Sequence, residues 1–189
     1  MAGIDSKYYL NQTDYSDIYI GDDTIYQSGC GVCCLAMYLL HKSGISTVGD
    51  TERRAAINAI INSGFLTGAL MYQPPQSHNV NFNSTTYNIA FSRTSDVAQG
   101  ILDGGIGFMR IYNSSYSGSH FVLVDDFDSS AEILSDDPDG LRRHKVVDPV
   151  DGTKKTLYQA IKGCYSRKGY NNISPSTAFL DSNWKCLFG

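Results

Sequence analysis

Three cysteines lie close together in one short stretch of the chain, at Cys30, Cys33 and Cys34. Gly29 and Gly31 flank Cys30, and an apolar run with helical spacing follows. This pattern predicts Cys30 in the first turn of a helix, where unpaired N–H groups and the helix dipole favour thiolate over thiol. Because the thiolate is the nucleophilic form, the position predicts that Cys30 is the attacking group of a cysteine enzyme.

A cysteine nucleophile needs a base, and His120 is the best placed of the four histidines. It opens a buried apolar strand and follows the small residues 117–119, which leave room for a ligand. The other three histidines have positions typical of other roles. His41 ends a helix, His78 lies in a polar segment, and His144 lies in a basic strand expected to be exposed.

An acidic side chain should orient the imidazole, and strand geometry selects among the aspartates. Asp125 lies on the same strand as His120, roughly 16 Å away and on the opposite face. If residues 119–127 and 142–148 form an antiparallel hairpin, position 120 comes opposite positions 148–150, and side chains of such a pair lie about 5 Å apart. The pattern therefore favours Asp148 as the orienting residue, although an Asp-Pro pair taken alone is more typical of a turn that ends a strand.

The oxyanion that forms during acyl transfer needs hydrogen-bond donors. The backbone N–H of Cys30 and one side-chain amide could supply them. Gln27 directly precedes the predicted helix, and Gln12 precedes a loop long enough to fold back over its start. Both glutamines are candidates from the sequence.

The elements that must position these residues are helices and strands of ordinary length. Spacing and capping residues predict helices from 28 or 29 to about 42, from 50 to 62 and from 95 to 102. Strands are predicted over 106–112, 119–127 and 142–147, with a short one near 87–91. Three further segments are a surface stretch over 65–91 that could wall a substrate groove, a helical turn over 156–161, and a last strand or cover within 169–189. With no repeat, linker or low-complexity tract, residues 1–189 are interpreted as one domain.

Composition excludes several classes of protein. The 189 residues are 42% hydrophobic and 18% charged with a net charge of −4, and no basic block is present, which argues against a nucleic-acid partner. No apolar run approaches the roughly 20 residues of a membrane span. The first five residues lack the pattern of a signal peptide, so synthesis in the cytoplasm is expected. Five cysteines, an odd number, fit reduced thiols better than a disulfide framework.

Several short motifs follow one another along the chain. They are Tyr9-Leu10-Asn11-Gln12-Thr13-Asp14, Tyr19-Ile20-Gly21, Ser28-Gly29-Cys30-Gly31 with Leu35-Ala36-Met37, Ser119-His120-Phe121-Val122-Leu123-Val124, and Val146-Val147-Asp148-Pro149-Val150-Asp151-Gly152. In this order they resemble the motifs of C39-like cysteine peptidases. The resemblance implies an α+β, papain-like fold in which an N-terminal helix carrying the nucleophile packs on an antiparallel β-sheet. It also implies the site residues: Cys30 as nucleophile, His120 as base, Asp148 as orienting acid and Gln12 as oxyanion donor. No cofactor or metal is predicted.

The expected function is that of a cysteine peptidase. The expected substrate is a peptide, in particular a peptide of bacterial peptidoglycan, as for a lysin of phage or bacterial origin that is released or virion-borne. A leader peptide is a weaker alternative, because in bacteriocin-processing members the glutamine lies closer to the cysteine than Gln12 does. A binding module that has kept the fold without catalysis is a second alternative.

Two other kinds of chemistry compete for parts of the sequence. Cys30 and Cys33 have the spacing of a redox C-x-x-C motif at a helix start, but no buried strand precedes them as in a thioredoxin unit. The acidic loop 128–141 could bind calcium, but it lacks EF-hand spacing, so a solvated turn is favoured.

Overall fold

The computed structural model describes residues 3–189. Its helices there are α1 (Ile25–Ser28), α2 (Cys30–Ser43), α3 (Asp50–Ile61), α4 (Val97–Leu102) and α5 (Leu157–Ser166). Its strands are β1 (Tyr19–Ile20), β2 (Asp23–Thr24), β3 (Leu66–Thr67), β4 (Leu70–Met71), β5 (Gln76–Phe82), β6 (Thr85–Arg93), β7 (Gly107–Tyr112), β8 (Ser119–Phe127), β9 (His144–Asp148), β10 (Thr153–Thr156) and β11 (Leu180–Phe188). Single 3₁₀ turns occupy Ser6–Tyr8, Gln12–Asp14, Leu141–Arg143 and Thr177–Phe179.

Seven strands form one sheet in the order β10-β9-β8-β7-β11-β6-β5. Every neighbouring pair in this sheet is antiparallel. The pairs β1–β2 and β3–β4 are separate two-residue hairpins. The fold is therefore α+β with an antiparallel sheet, as predicted.

Helix α2 begins and ends where the sequence predicts. Gly29 is its N-cap, and Gly44 caps its C-terminus in the left-handed conformation. It is apolar on almost all sides and buries nine of its fourteen residues, so it must pack inside the protein. It does so against α3 and strand β8. The start of α2 is thus held beside the strand that carries the predicted base.

Helices cover both faces of the large sheet. Leu123 of β8 packs in a hydrophobic cluster with α2 and α3, whereas its neighbour Val122 packs in a second cluster with α4 and α5. Successive strand residues point to opposite faces, and residues two apart share a face. By this alternation, His120 shares a face of the sheet with Val122 of β8. Asp148 shares that face with Val146, a β9 residue of the second cluster.

The strand content of the segment 65–91 was underestimated from the sequence. In place of one short strand near 87–91, it contains the β3–β4 hairpin and the long hairpin β5–β6. In β5 the residues Gln76, Val80 and Phe82 are buried, while several of those between them are exposed polar residues. This polar face made the strand resemble a loop, as is common for antiparallel sheets with one solvated face.

Several other predicted bounds needed correction. Helix α4 begins at Val97 with Asp96 as its N-cap, two residues later than predicted. The helical turn at 156–161 is the start of the longer α5, and β10 was not predicted.

The return strand begins at His144 after a 3₁₀ turn, and this histidine is half-buried against Phe127 rather than exposed, with ring centroids 4.9 Å apart. The last strand, β11, lies inside the sheet between β7 and β6.

The structure was searched for clusters of metal-binding side chains and for helices that could span a membrane. Across residues 3–189, no group of three or more His, Cys, Asp or Glu side chains could hold a metal ion, the acidic loop included. In the same residues, no helix has both the length and the apolar character needed to cross a bilayer.

Candidate active site

Cys30 is the first residue of α2 and is half-buried. Its neighbour Gly31 has no room for a side chain. A Cβ atom there would lie 2.6 Å from Cε of Met71 and 3.2 Å from Cδ2 of Phe121. Glycine at this position therefore allows β4 and β8 to approach the start of α2 closely.

His120 and Asp148 form the central contact of the site. Nε2 of His120 lies 2.5 Å from Oδ1 of Asp148, and both residues are buried. The antiparallel register of β8 and β9, in which Leu123 pairs with Val147, brings Asp148 alongside the first residues of β8. Because Nε2 is engaged by the carboxylate, Nδ1 is the ring nitrogen left for Cys30.

The ionisation of the three groups is coupled through these contacts. Burial acts to raise the pKa of the Cys30 thiol, but its hydrogen bond with His120 and the charge of that ring outweigh burial and lower the pKa below its ordinary value. The pKa of His120 is raised to about 9, because bonds to Asp148 and Cys30 overcome the opposing effect of burial. The pKa of Asp148 is lowered to about 2: burial alone would raise it, and the bond from His120 is the main cause of the decrease. The arrangement favours a thiolate, an imidazolium and a carboxylate in a row.

Backbone groups and one lysine complete the surroundings of the carboxylate. The N–H of Val150 donates to Oδ1 of Asp148 over 3.0 Å. Oδ2 is fully buried without a hydrogen bond in the described structure, but Nζ of Lys155 lies 3.3 Å from it. Lys155 extends from β10 and also forms a salt bridge with Asp151 at 2.9 Å. Asp148 is therefore held in place from two sides.

The turn that follows Asp148 packs on the segment that carries Gln12. The N–H of Gln12 donates to the carbonyl oxygen of Pro149 over 2.8 Å. Gly152 adopts a left-handed φ of 69°, and a Cβ atom there would lie 3.1 Å from the backbone nitrogen of Asn11. This glycine is needed both for the turn and for the close approach of the two segments.

Gln12 reaches the site, but its amide already has partners. Nε2 lies 3.3 Å and 3.1 Å from the carbonyl oxygens of Ile25 and Tyr26, in the segment before Cys30, while Oε1 is buried without a partner in the described residues. Gln27 is exposed, and its Oε1 accepts from the backbone N–H of Thr24, in the capping box of α1. Both glutamines line the same cleft, so the identity of the oxyanion donor stays a prediction.

An open cleft of about 500 Å³ contains the predicted nucleophile, base and both glutamines. Its other lining side chains include an apolar set and a polar or charged set. The apolar set includes Leu66, Ala69, Leu70, Met71, Phe121 and Trp184, and the polar or charged set includes Asp23, Ser28, Gln73, Arg110, Ser119, Arg167 and Lys168. Part of the segment predicted to wall a groove, around β3 and β4, does line this cleft.

Four of the five cysteines are buried. The pKa values of Cys33 and Cys34 are raised well above the ordinary value, first by burial and then by the nearby Cys30. Cys164 lines the cleft, and its pKa is raised to about 11, mainly by burial. Cys33 and Cys34 are thus buried residues of α2, and only Cys30 has surroundings that favour the thiolate.

Sequence reasoning missed several residues near the site. Lys155 follows the predicted turn, and its role depends on β10, which was not predicted. Trp184 of β11 also lines the cleft, where it meets the ring of Phe121 edge-on with ring centroids 4.9 Å apart. Lys168 was also missed: its side chain lies over Gly118, in the small-residue segment before His120, where Ser119 lines the open cleft.

Comparison of the chain with protein-family models, with curated proteins and with solved structures gave no match. The resemblance to C39-like cysteine peptidases thus rests on the sequence motifs and stays a prediction. A functional conclusion has to be drawn from the geometry and electrostatics of the cleft.

Proposed function

We propose that this chain is a cysteine peptidase with a papain-like arrangement, in which Cys30 is the nucleophile, His120 the acid and base, and Asp148 the orienting carboxylate. The observation that carries the proposal is the buried contact of His120 with Asp148, with Cys30 and His120 lining one open cleft, where His120 lowers the pKa of the thiol. A nucleophile, a base and an orienting carboxylate arranged in this order are typical of covalent catalysis by an activated nucleophile.

The proposed reaction has two halves. The Cys30 thiolate attacks the carbonyl carbon of a peptide bond, and the imidazolium of His120 gives its Nδ1 proton to the leaving amine as the C–N bond breaks. This leaves an acyl group on sulfur as a thioester. His120, now neutral, takes a proton from a water that attacks the thioester, which releases the carboxylic acid and restores the thiolate and imidazolium.

Asp148 supports both halves of the reaction without itself transferring a proton. Its carboxylate accepts from Nε2–H of His120, which fixes the ring orientation and directs Nδ1 at sulfur. The free N–H groups at the start of α2 provide fixed donors close to the carbonyl under attack. Gln12 or Gln27 would add a side-chain donor.

For the substrate, we propose peptides of bacterial peptidoglycan, the class suggested by the sequence motifs. The test is digestion of purified peptidoglycan with wild type and with Cys30→Ala, followed by quantification of new amine termini. Wild type should release them and Cys30→Ala should not. Release by both proteins would overturn the role of Cys30, and release by neither would remove the cell-wall substrate. Cleavage of a degenerate peptide pool by the same two proteins then decides whether a peptidase activity exists at all.

A further inference from the structure

Three basic side chains line the cleft: Arg110, Arg167 and Lys168. Arg110 extends from β7, where it pairs with Phe121 of β8, one residue after His120. Arg167 and Lys168 directly follow the last residue of α5. Two separate parts of the chain therefore bring positive charge to the cleft that contains the predicted base.

Lys168 lies over the residue that precedes strand β8. A Cβ atom at Gly118 would lie 2.2 Å from Cε and 2.4 Å from Nζ of Lys168, so the lysine side chain crosses directly over that glycine. Gly118 lies two residues before His120, and Ser119, between them, also lines the cleft. The ammonium group therefore lies close to the segment that leads into His120.

These cations differ in how far they are neutralised. Arg110 forms a salt bridge with Asp181 at 3.0 Å and lies over the ring of Tyr112. Within residues 3–189, neither Arg167 nor Lys168 forms a salt bridge, and both are exposed. In a chain with a net charge of −4, two unpaired cations in a cleft create a local positive potential.

Another part of the cleft lining is apolar. It includes the β3–β4 hairpin, where Leu70 is 73% exposed and Met71 covers Gly31. The cleft lining thus combines an exposed apolar side chain with unpaired cations. A ligand that uses both must carry an apolar group and an anionic group.

We infer that the cleft selects peptides that carry a carboxylate beside the scissile bond, bound by Arg167 and Lys168, with an apolar residue on the other side of that bond against Leu70 and Met71. This inference rests on the proposed peptidase function and specifies its substrate. A competing explanation is that Arg167 and Lys168 only complement the dipole at the end of α5. That explanation does not account for the contact of Lys168 with Gly118.

Two alkylating agents of nearly equal size test the charge at the site. Iodoacetate carries a carboxylate and iodoacetamide does not, so the ratio of their rates with Cys30 reports the local potential. In Arg167→Gln/Lys168→Gln, this ratio should fall about tenfold at low salt, the combined effect expected of two exposed charge pairs. High salt should lower the ratio in wild type as well. Lys162→Gln, which removes a cation of α5 outside the cleft, is the control and should keep the wild-type ratio.

Cleavage of peptide pools tests the substrate class. Two pools are N-acetylated and C-amidated, and they are degenerate apart from one central residue, which is Glu in the first and Gln in the second. A third pool carries the central Gln and has a free C-terminal carboxylate. Wild type should prefer the Glu pool, or the free-carboxylate pool if a chain terminus is the anion, and the double variant should lose that preference. Equal cleavage of all three pools, or an unchanged alkylation ratio in the double variant, would overturn the inference while leaving the peptidase function intact. No cleavage of any pool would instead refute the peptidase function, and the inference with it.

Discussion

The ring of His120 and the carboxylate of Asp148 meet at 2.5 Å although 28 residues separate them in the chain. The contact is buried, so the ion pair is poorly screened and each partner strongly perturbs the other. It also commits Nε2 of the ring, which directs Nδ1 toward Cys30. The acid–base properties proposed for this site all depend on that one contact.

The reactivity of the five thiols should differ sharply. Because Cys30 alone has a lowered pKa, it should react with iodoacetamide near neutral pH far faster than the buried Cys33 and Cys34. Mass spectrometry of peptides after brief labelling measures each site. Equal and slow labelling of Cys30 and its two neighbours would contradict the enzyme proposal and favour a binding module. A reversible Cys30–Cys33 disulfide would support the redox alternative instead.

The pH profile of kcat/KM should be bell-shaped. Its acid limb reports the lowered pKa of Cys30, below which the thiolate is protonated. Its alkaline limb should lie near pH 9, where His120 loses the proton that it must give to the leaving amine. Since Asp148 raises the pKa of His120, Asp148→Asn should move the alkaline limb to lower pH and reduce the rate at the optimum. An alkaline limb that stays near pH 9 in Asp148→Asn would show that the carboxylate does not control the ring.

Lys155 should position Asp148, and the adjacent residue Lys154 provides a control. Lys155→Met leaves a buried carboxylate oxygen without its cation, a loss of about 1–3 kcal/mol for groups of this kind. The pKa of Asp148 should then rise from about 2 toward its ordinary value, so the variant should be less stable than wild type at pH 7 and should lose less stability than wild type as the pH falls from about 4 to about 2. Urea unfolding at pH 7 and at about pH 2, together with kcat/KM, measures both effects.

Lys154→Met is the matched variant, because Lys154 pairs with Asp125 at 3.1 Å, away from the site. It should lower the free energy of unfolding without changing kcat/KM. An equal decrease of kcat/KM in the Lys154 and Lys155 variants would argue that β10 acts only through general stability.

The parts of this molecule that could be predicted from the sequence are those with strong local patterns. The apolar spacing of α2 and the buried run of β8 fixed where Cys30 and His120 lie on their elements. The β8–β9 hairpin was then enough to bring Asp148 beside His120. When one face of a strand pair must be buried, few alternative registers remain.

What could not be predicted depends on contacts between distant segments. The place of β11 in the middle of the sheet is set by pairing with β6 and β7, and nothing in its own sequence specifies it. The cationic part of the cleft lining needs the end of α5 to meet Gly118, a contact across about 50 residues. The polar composition of β5 concealed a strand because only one of its faces is buried.

Gly31 should be essential for access to the nucleophile. In Gly31→Ala, the new methyl group would lie 2.6 Å from Cε of Met71 and 3.2 Å from Phe121, an overpacking that costs about 1–3 kcal/mol. Met71 is the more flexible of the two, so it should move into the cleft and slow both peptide cleavage and alkylation of Cys30. Adding Met71→Ala should restore much of both rates. Failure of the double variant to recover would indicate that the damage lies in the start of α2.

The two glutamines can be separated as oxyanion donors by their different surroundings. If the amide of Gln12 donates in the transition state, it must first exchange one of its bonds to the carbonyl oxygens of Ile25 and Tyr26. Gln12→Ala should then lower kcat by about 10²–10³-fold with little change in KM, the usual effect of losing one such donor. Gln12→Glu places an acceptor at the same position and should be at least as damaging.

Gln27→Ala provides the comparison, because Gln27 lines the same cleft but its Oε1 caps α1. If Gln12 is the donor, Gln27→Ala should cost only the stability of that cap, about 1 kcal/mol, and leave kcat within a few-fold of wild type. Single-turnover kinetics with an ester and an amide substrate measure the acylation step directly. A large loss of kcat in Gln27→Ala with near-normal turnover in Gln12→Ala would reverse the assignment. The exposed Gln27 would then be the oxyanion donor.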